Sequence, residues 1–154
     1  MEQMDRRSFV KLAGAGSAAA AAAVGIPLME HFVDKERGVL RFRASGGLPT
    51  SPLPSYATHV VEGTVNLTTQ SGTVTSRVLA GHPGDTSGIG LPGLSRIIRI
   101  TEVHGAGPIR LRGEIEDRSQ LRRGESPHVE IVVDRDRGVV QAPFAGRQVD
   151  LSLA

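Results

Sequence analysis

Residues 109–116 read IRLRGEIE, and the alternation inside this stretch decides the fold class. Ile109, Leu111 and Ile115 fall on one side, while Arg110, Arg112, Glu114 and Glu116 fall on the other. A repeat of two belongs to an extended chain, whose successive side chains point to opposite faces; a helix repeats every ~3.6 residues. One oily face and one charged face describe a strand lying between a core and water.

The same rule recurs on both sides of it. HVEIVV (128–133) turns Val129, Ile131 and Val133 inward, and RQVDLSL (147–153) does so with Val149, Leu151 and Leu153. In THVVEGTVNL (58–67), Val61, Val65 and Leu67 alternate with Glu62, Thr64 and Asn66. His59 shares the Val61 face, which predicts a semi-buried, hydrogen-bonded imidazole. TVTSRVLA follows the turn-length TTQSG, so these two runs form a hairpin. SRIIRITEV (95–103) reads as another strand, its adjacent Ile97 and Ile98 suggesting a bulge or burial on both faces. No window after residue 40 makes a helix. The pattern predicts an all-β domain over residues 56–154, a single antiparallel β-sandwich or small β-barrel preceded by a signal segment.

Residues 44–55, ASGGLPTSPLPS, carry three prolines and two glycines and read as a linker or an edge-wrapping loop. Just before them, EHFVDKERGVLRF from Glu30 matches EIVVDRDRGVVQA from Glu130, with Gly38 and Gly138 at equivalent positions. Both read as strand, polar turn and returning strand. Residues 29–43 are therefore expected to form a short β-hairpin joining the domain, with a helix over Leu28–Glu36 as the competing reading.

The first 28 residues have a different character. Arg6 and Arg7 form a paired cationic head, Phe9 follows two residues on, and Lys11 closes the charged region. From Leu12 to Leu28 no side chain ionises, and the run is mostly Ala and Gly, too weakly apolar for a permanent membrane span. Asp5 to Lys11, DRRSFVK, resembles the twin-arginine (Tat) signal motif, departing from it at Asp5 and Val10. The resemblance implies recognition of Arg6, Arg7, Phe9 and Lys11 by the Tat translocation machinery. It also implies a prokaryotic protein exported already folded, with cleavage among the Ala-x-Ala triplets between Ala18 and Ala23. The membrane is then met only through the signal segment, and the destination is the periplasm, cell surface or exterior.

Composition narrows the remainder. Setting aside the three basic and two acidic leader residues leaves 15 basic and 14 acidic side chains, so nucleic acid is not expected as a partner. There is no cysteine, which excludes disulfides, thiolate metal sites, iron–sulfur clusters, a cysteine nucleophile and a lipid-attachment cysteine. One Tyr, four Phe and no Trp give little material for stacking sugars or bases.

Three places hold residues capable of chemistry. GHPGDTSGIGLPGL (81–94) offers a candidate binding loop with His82, Asp85, Ser87, Gly88 and Gly90. Gly88, Gly90 and Gly93 satisfy G-x-G-x-x-G, but SRIIRI after them is a strand and not the helix a dinucleotide site requires. His82, Asp85 and Ser87 lack a nucleophile-elbow context, so no catalytic residue is assigned. His128 and Glu130, two apart on one strand face, are weak metal candidates. Arg118, Arg122 and Arg123 are offset by Glu116, Asp117 and Glu125, leaving a charged, soluble rim.

These readings converge on an exported, non-enzymatic β-domain that binds or supports an envelope protein partner and holds no cofactor. Two alternatives remain: a small-ligand carrier in a hollow barrel, or a histidine-based metal-binding protein or metalloenzyme.

Overall fold

The computed structural model describes residues 38–50, 55–82 and 85–154. The signal segment and the leading half of the first expected hairpin lie outside the described residues. Nine strands are described: β1 (Val39–Thr50), β2 (Ser55–Asn66), β3 (Ser71–His82), β4 (Asp85–Gly90), β5 (Arg96–His104), β6 (Ile109–Ile115), β7 (His128–Asp134), β8 (Val139–Phe144) and β9 (Arg147–Leu153). The one helical element among the described residues is a 3₁₀ turn, Arg118–Gln120.

Every pairing is antiparallel, and the neighbours run β1-β2-β3-β5-β6-β7-β8-β9 and back to β1. This is a closed eight-stranded up-and-down β-barrel, with β4 folded back as a short extra strand on the far end of β3. Of the two expected architectures the barrel is the one formed. Closure rests on a brief seam, Ala44↔Leu153 and Ser45↔Ser152, extended by the Ala154 amide on the Arg43 carbonyl at 3.0 Å.

The alternation of IRLRGEIE is reproduced residue by residue: the inward positions of β6 are buried and Arg110, Arg112 and Glu116 are exposed. Inward side chains of the eight strands meet in one cluster that includes Leu40, Phe42, Val65, Val74, Ile100, Leu111, Ile131 and Leu151. An eight-stranded barrel is just wide enough for side chains to fill it. Burying each large aliphatic group contributes about 1.5–3 kcal/mol. Around this cluster the lumen is filled with side chains.

The strands also explain three departures from the expected layout. Ala44–Thr50, read as linker, is the second half of β1, paired with β2 as far as Thr50↔Ser55. Its glycines are compatible with a strand because Gly46 faces Leu151 across the seam, where an added methyl would press on the leucine. The glycine loop likewise contains β4. In β5 the irregularity falls between Ile100 and Glu102, not at Ile97–Ile98; Ile98 points inward and Ile97 is 46% exposed.

The turns follow local chemistry. Asn66 Oδ1 accepts from the amides of Thr68 and Thr69, both at 2.9 Å, closing the β2–β3 hairpin. The β7–β8 hairpin turns at Gly138, whose φ of 65° suits glycine. Gly38 has a matching φ of 61°, in line with the sequence similarity around the two glycines.

Candidate functional site

Polar side chains on inward positions are few and share one end of the barrel. His59 of β2 is fully buried, and Ser76 of β3 is 9% exposed. They approach each other because Val61 is the partner of Ser76 and His59 that of Val78, so both point inward on adjacent strands. His59 Nε2 lies 2.7 Å from Ser76 Oγ. Burial lowers the imidazole pKa from 6.5 to about 4, keeping the ring neutral at ordinary pH. The Phe144 ring covers it, with centroids 5.3 Å apart.

The next inward residue around the barrel is Arg96, the β5 partner of Ser76. Its side chain is only 10% exposed. Its terminal nitrogens donate to the carbonyls of Gly93, Ser95 and Gln120 and to Glu125 Oε2, at 2.8–3.3 Å. Burial pushes the Glu125 carboxyl up, but the Arg122 amide and the Arg96 guanidinium outweigh it and hold the group below its ordinary value. Two buried nitrogens in this cluster have no partner, His59 Nδ1 and Arg96 Nε.

Beside the cluster the barrel wall opens. β7 starts at His128, yet its ladder to β8 covers only Val132↔Gln141, Val133↔Val140 and Asp134↔Val139. The cause is in the sequence. Ala145 and Gly146, with φ of 50° and 78°, form a two-residue turn joining β8 to β9. Phe144 and Arg147 close that turn, so amides at positions 144, 142 and 140 face β9 and those at 143, 141 and 139 face β7. Position 143 is proline, which has no N–H to donate. The Glu130 carbonyl, which stands opposite Pro143 on this register, takes its hydrogen bond from Gln148 Nε2 at 3.1 Å instead.

The resulting cleft has a volume of about 330 Å³. Its apolar surface comes from Ile98, Ile115, Val129 and Phe144, and Ser76, Arg96, Ser126 and Arg147 are among its polar groups. A narrower void of about 50 Å³ adjoins it between Ser76, Arg96 and Phe144. Small-molecule sites share this composition, mostly apolar with a few placed polar groups.

Of the residues singled out in the sequence, His128 borders the cleft and the loop residues lie elsewhere. His82 is at the exposed end of β3, in register with Asp85, and Gly88 and Gly90 lie on β4 with open space around them. Ser87 belongs to the same strand, which pairs with the 79–82 end of β3, beyond the Gly72–Ser76 stretch that pairs with β5. None of these lines the cleft. His128 and Glu130 do share the outer face, but Glu130 accepts from Arg110 and Arg112 at 3.1 and 3.0 Å. His128 Nδ1 is 3.4 Å from Glu114. Hydrogen bonds from Arg112, and from Arg110 more weakly, hold the Glu130 carboxyl below its ordinary value despite opposing desolvation. Among the described residues no group of three or more His, Asp or Glu converges to hold a metal ion.

His59 was readable from its phase; Ser76 and Arg96 were missed. Both sit two residues from inward aliphatics, Ser76 between Val74 and Val78 and Arg96 before Ile98. Polar residues falling in the inward phase were the available signal. Comparison with protein-family models, curated proteins and solved structures finds no match for the chain.

Proposed function

We propose that the chain is an exported, non-enzymatic binding module of the cell envelope whose binding element is the cleft between β7 and β8. One observation carries the reading: the wall is interrupted at Pro143 over an apolar surface, next to the inward cluster of His59, Ser76 and Arg96. Export rests on the resemblance of DRRSFVK to the Tat signal.

The His59–Ser76 pair argues for binding over catalysis. A serine nucleophile needs its base oriented through the second ring nitrogen, and His59 Nδ1 has no partner. A buried unpaired N–H costs more than an unpaired acceptor with lone pairs only. The ring proton therefore belongs on Nε2, donating to Ser76 Oγ, an arrangement that leaves the hydroxyl unactivated.

A thermal-shift screen of the full-length protein against chemically varied small molecules tests this. At least one class should raise Tm, and Val129→Trp, which fills the cleft from its rim, should abolish that rise. A screen without any stabilising class, or a shift that survives Val129→Trp, would overturn the reading.

A further inference from the structure

We infer that the cleft selects a small apolar molecule bearing a carboxylate, with the carboxylate at the Arg147 end. This rests on the binding role proposed for the cleft and adds the chemical class of its occupant.

Charge complementarity is the argument. Of the charged residues around the cleft, Arg96 and Arg147 are cationic and Glu125 is the acid. That acid is spent: its Oε2 accepts from Arg96 at 3.3 Å and from the Arg122 amide at 2.9 Å. Arg147 is exposed and forms no ion pair among the described residues. As the first residue of β9 it is the register partner of Phe144, which starts its side chain on the same face as the apolar ring. Arginine presents a planar fork of donors that matches a carboxylate bidentately.

The neutral polar groups point the same way. Ser126 Oγ accepts from the His128 amide at 3.1 Å, which leaves the hydroxyl proton free to donate. Ser76 Oγ receives the His59 proton on the tautomer argued above, so its own hydroxyl hydrogen is also free. Gln148 is the exception, since its amide nitrogen already donates to the Glu130 carbonyl. Arg96 Nε is a further N–H without a partner, on a side chain nine-tenths buried in the wall of both cleft and void. The site therefore offers donors and positive charge to a ligand head, and Ile98, Ile115, Val129 and Phe144 to its body.

The test is isothermal titration of the full-length protein with matched pairs: decanoate against decanamide, and cinnamate against cinnamamide. The acids should bind and the amides should bind at least about tenfold more weakly, since each pair differs only in the charge-assisted contact. Arg147→Glu, at an exposed turn position, should weaken the acids by about tenfold or more and leave the amides unchanged. Equal binding of acids and amides, or acid binding indifferent to Arg147→Glu, would overturn the carboxylate assignment while leaving the cleft as a site. No binding by any of the four, with another compound class stabilising the protein through the cleft, would overturn it too. No binding by any compound would remove the cleft reading itself.

Discussion

His59 Nε2 lies 2.7 Å from Ser76 Oγ inside a barrel filled mainly with aliphatic side chains. The pair satisfies one ring nitrogen and leaves the other bare, with the Phe144 ring packed over it. Such an arrangement tolerates a neutral imidazole and resists a charged one.

Acid should therefore weaken the fold before the carboxylates titrate. The folded-state pKa of His59, about 4, is below the unfolded value of 6.5, so the folded chain binds fewer protons between these limits. Stability is full above pH 6.5 and is lost progressively as pH falls toward 4, by roughly 3 kcal/mol in total. Urea unfolding between pH 7 and 5 (about the range free of carboxylate titration) should show this slope in the wild type, and His59→Gln should flatten it.

Two glycines separate packing from conformational freedom. A methyl on Gly113 of β6 would collide with the Arg99 carbonyl of β5, whereas one on Gly107, in the preceding turn, would meet nothing within 4 Å. Gly113→Ala is expected to destabilise the barrel by about 1–3 kcal/mol, and Gly107→Ala to change it by less than about 0.5 kcal/mol. Denaturant midpoints at constant m-value measure both.

Restoring the missing ladder donor should close the wall. Pro143→Ala supplies an amide facing the Glu130 carbonyl, now served by Gln148. The new amide should exchange slowly with deuterium, and the cleft should narrow, reducing ligand-induced stabilisation. Fast exchange at that amide would mean that something other than proline keeps β7 and β8 apart.

The leader carries its own prediction. Replacing Arg6 and Arg7 together by Lys keeps the charge and removes the arginine pair that the Tat resemblance assigns to the translocase. The precursor should then remain in the cytoplasmic fraction on immunoblotting.

The barrel was largely legible because its signal is repeated: in β6 and β7 each inward step carries an aliphatic residue or glycine, and in β9 each one from Val149 onward does. Residues 44–50 were not, because glycine and proline report turn propensity, while their strand state comes from pairing with β2 and not from their own pattern. The cleft was hidden for a similar reason. Pro143 reads locally as a strand end, and only the β8–β9 turn decides that its missing N–H faces β7. His82, Asp85 and Ser87 drew attention by clustering in sequence; His59, Ser76 and Arg96 come from three strands and meet only when the barrel closes.

Where a ligand sits is the most direct test of the account. Amide chemical-shift mapping of the isotope-labelled full-length protein during titration with decanoate should move Val129, Phe144, Arg147 and Gln148 and leave Leu40, Val65 and Leu111 in place. Perturbations centred on the lumen residues, or on β4 and the end of β3, would contradict it.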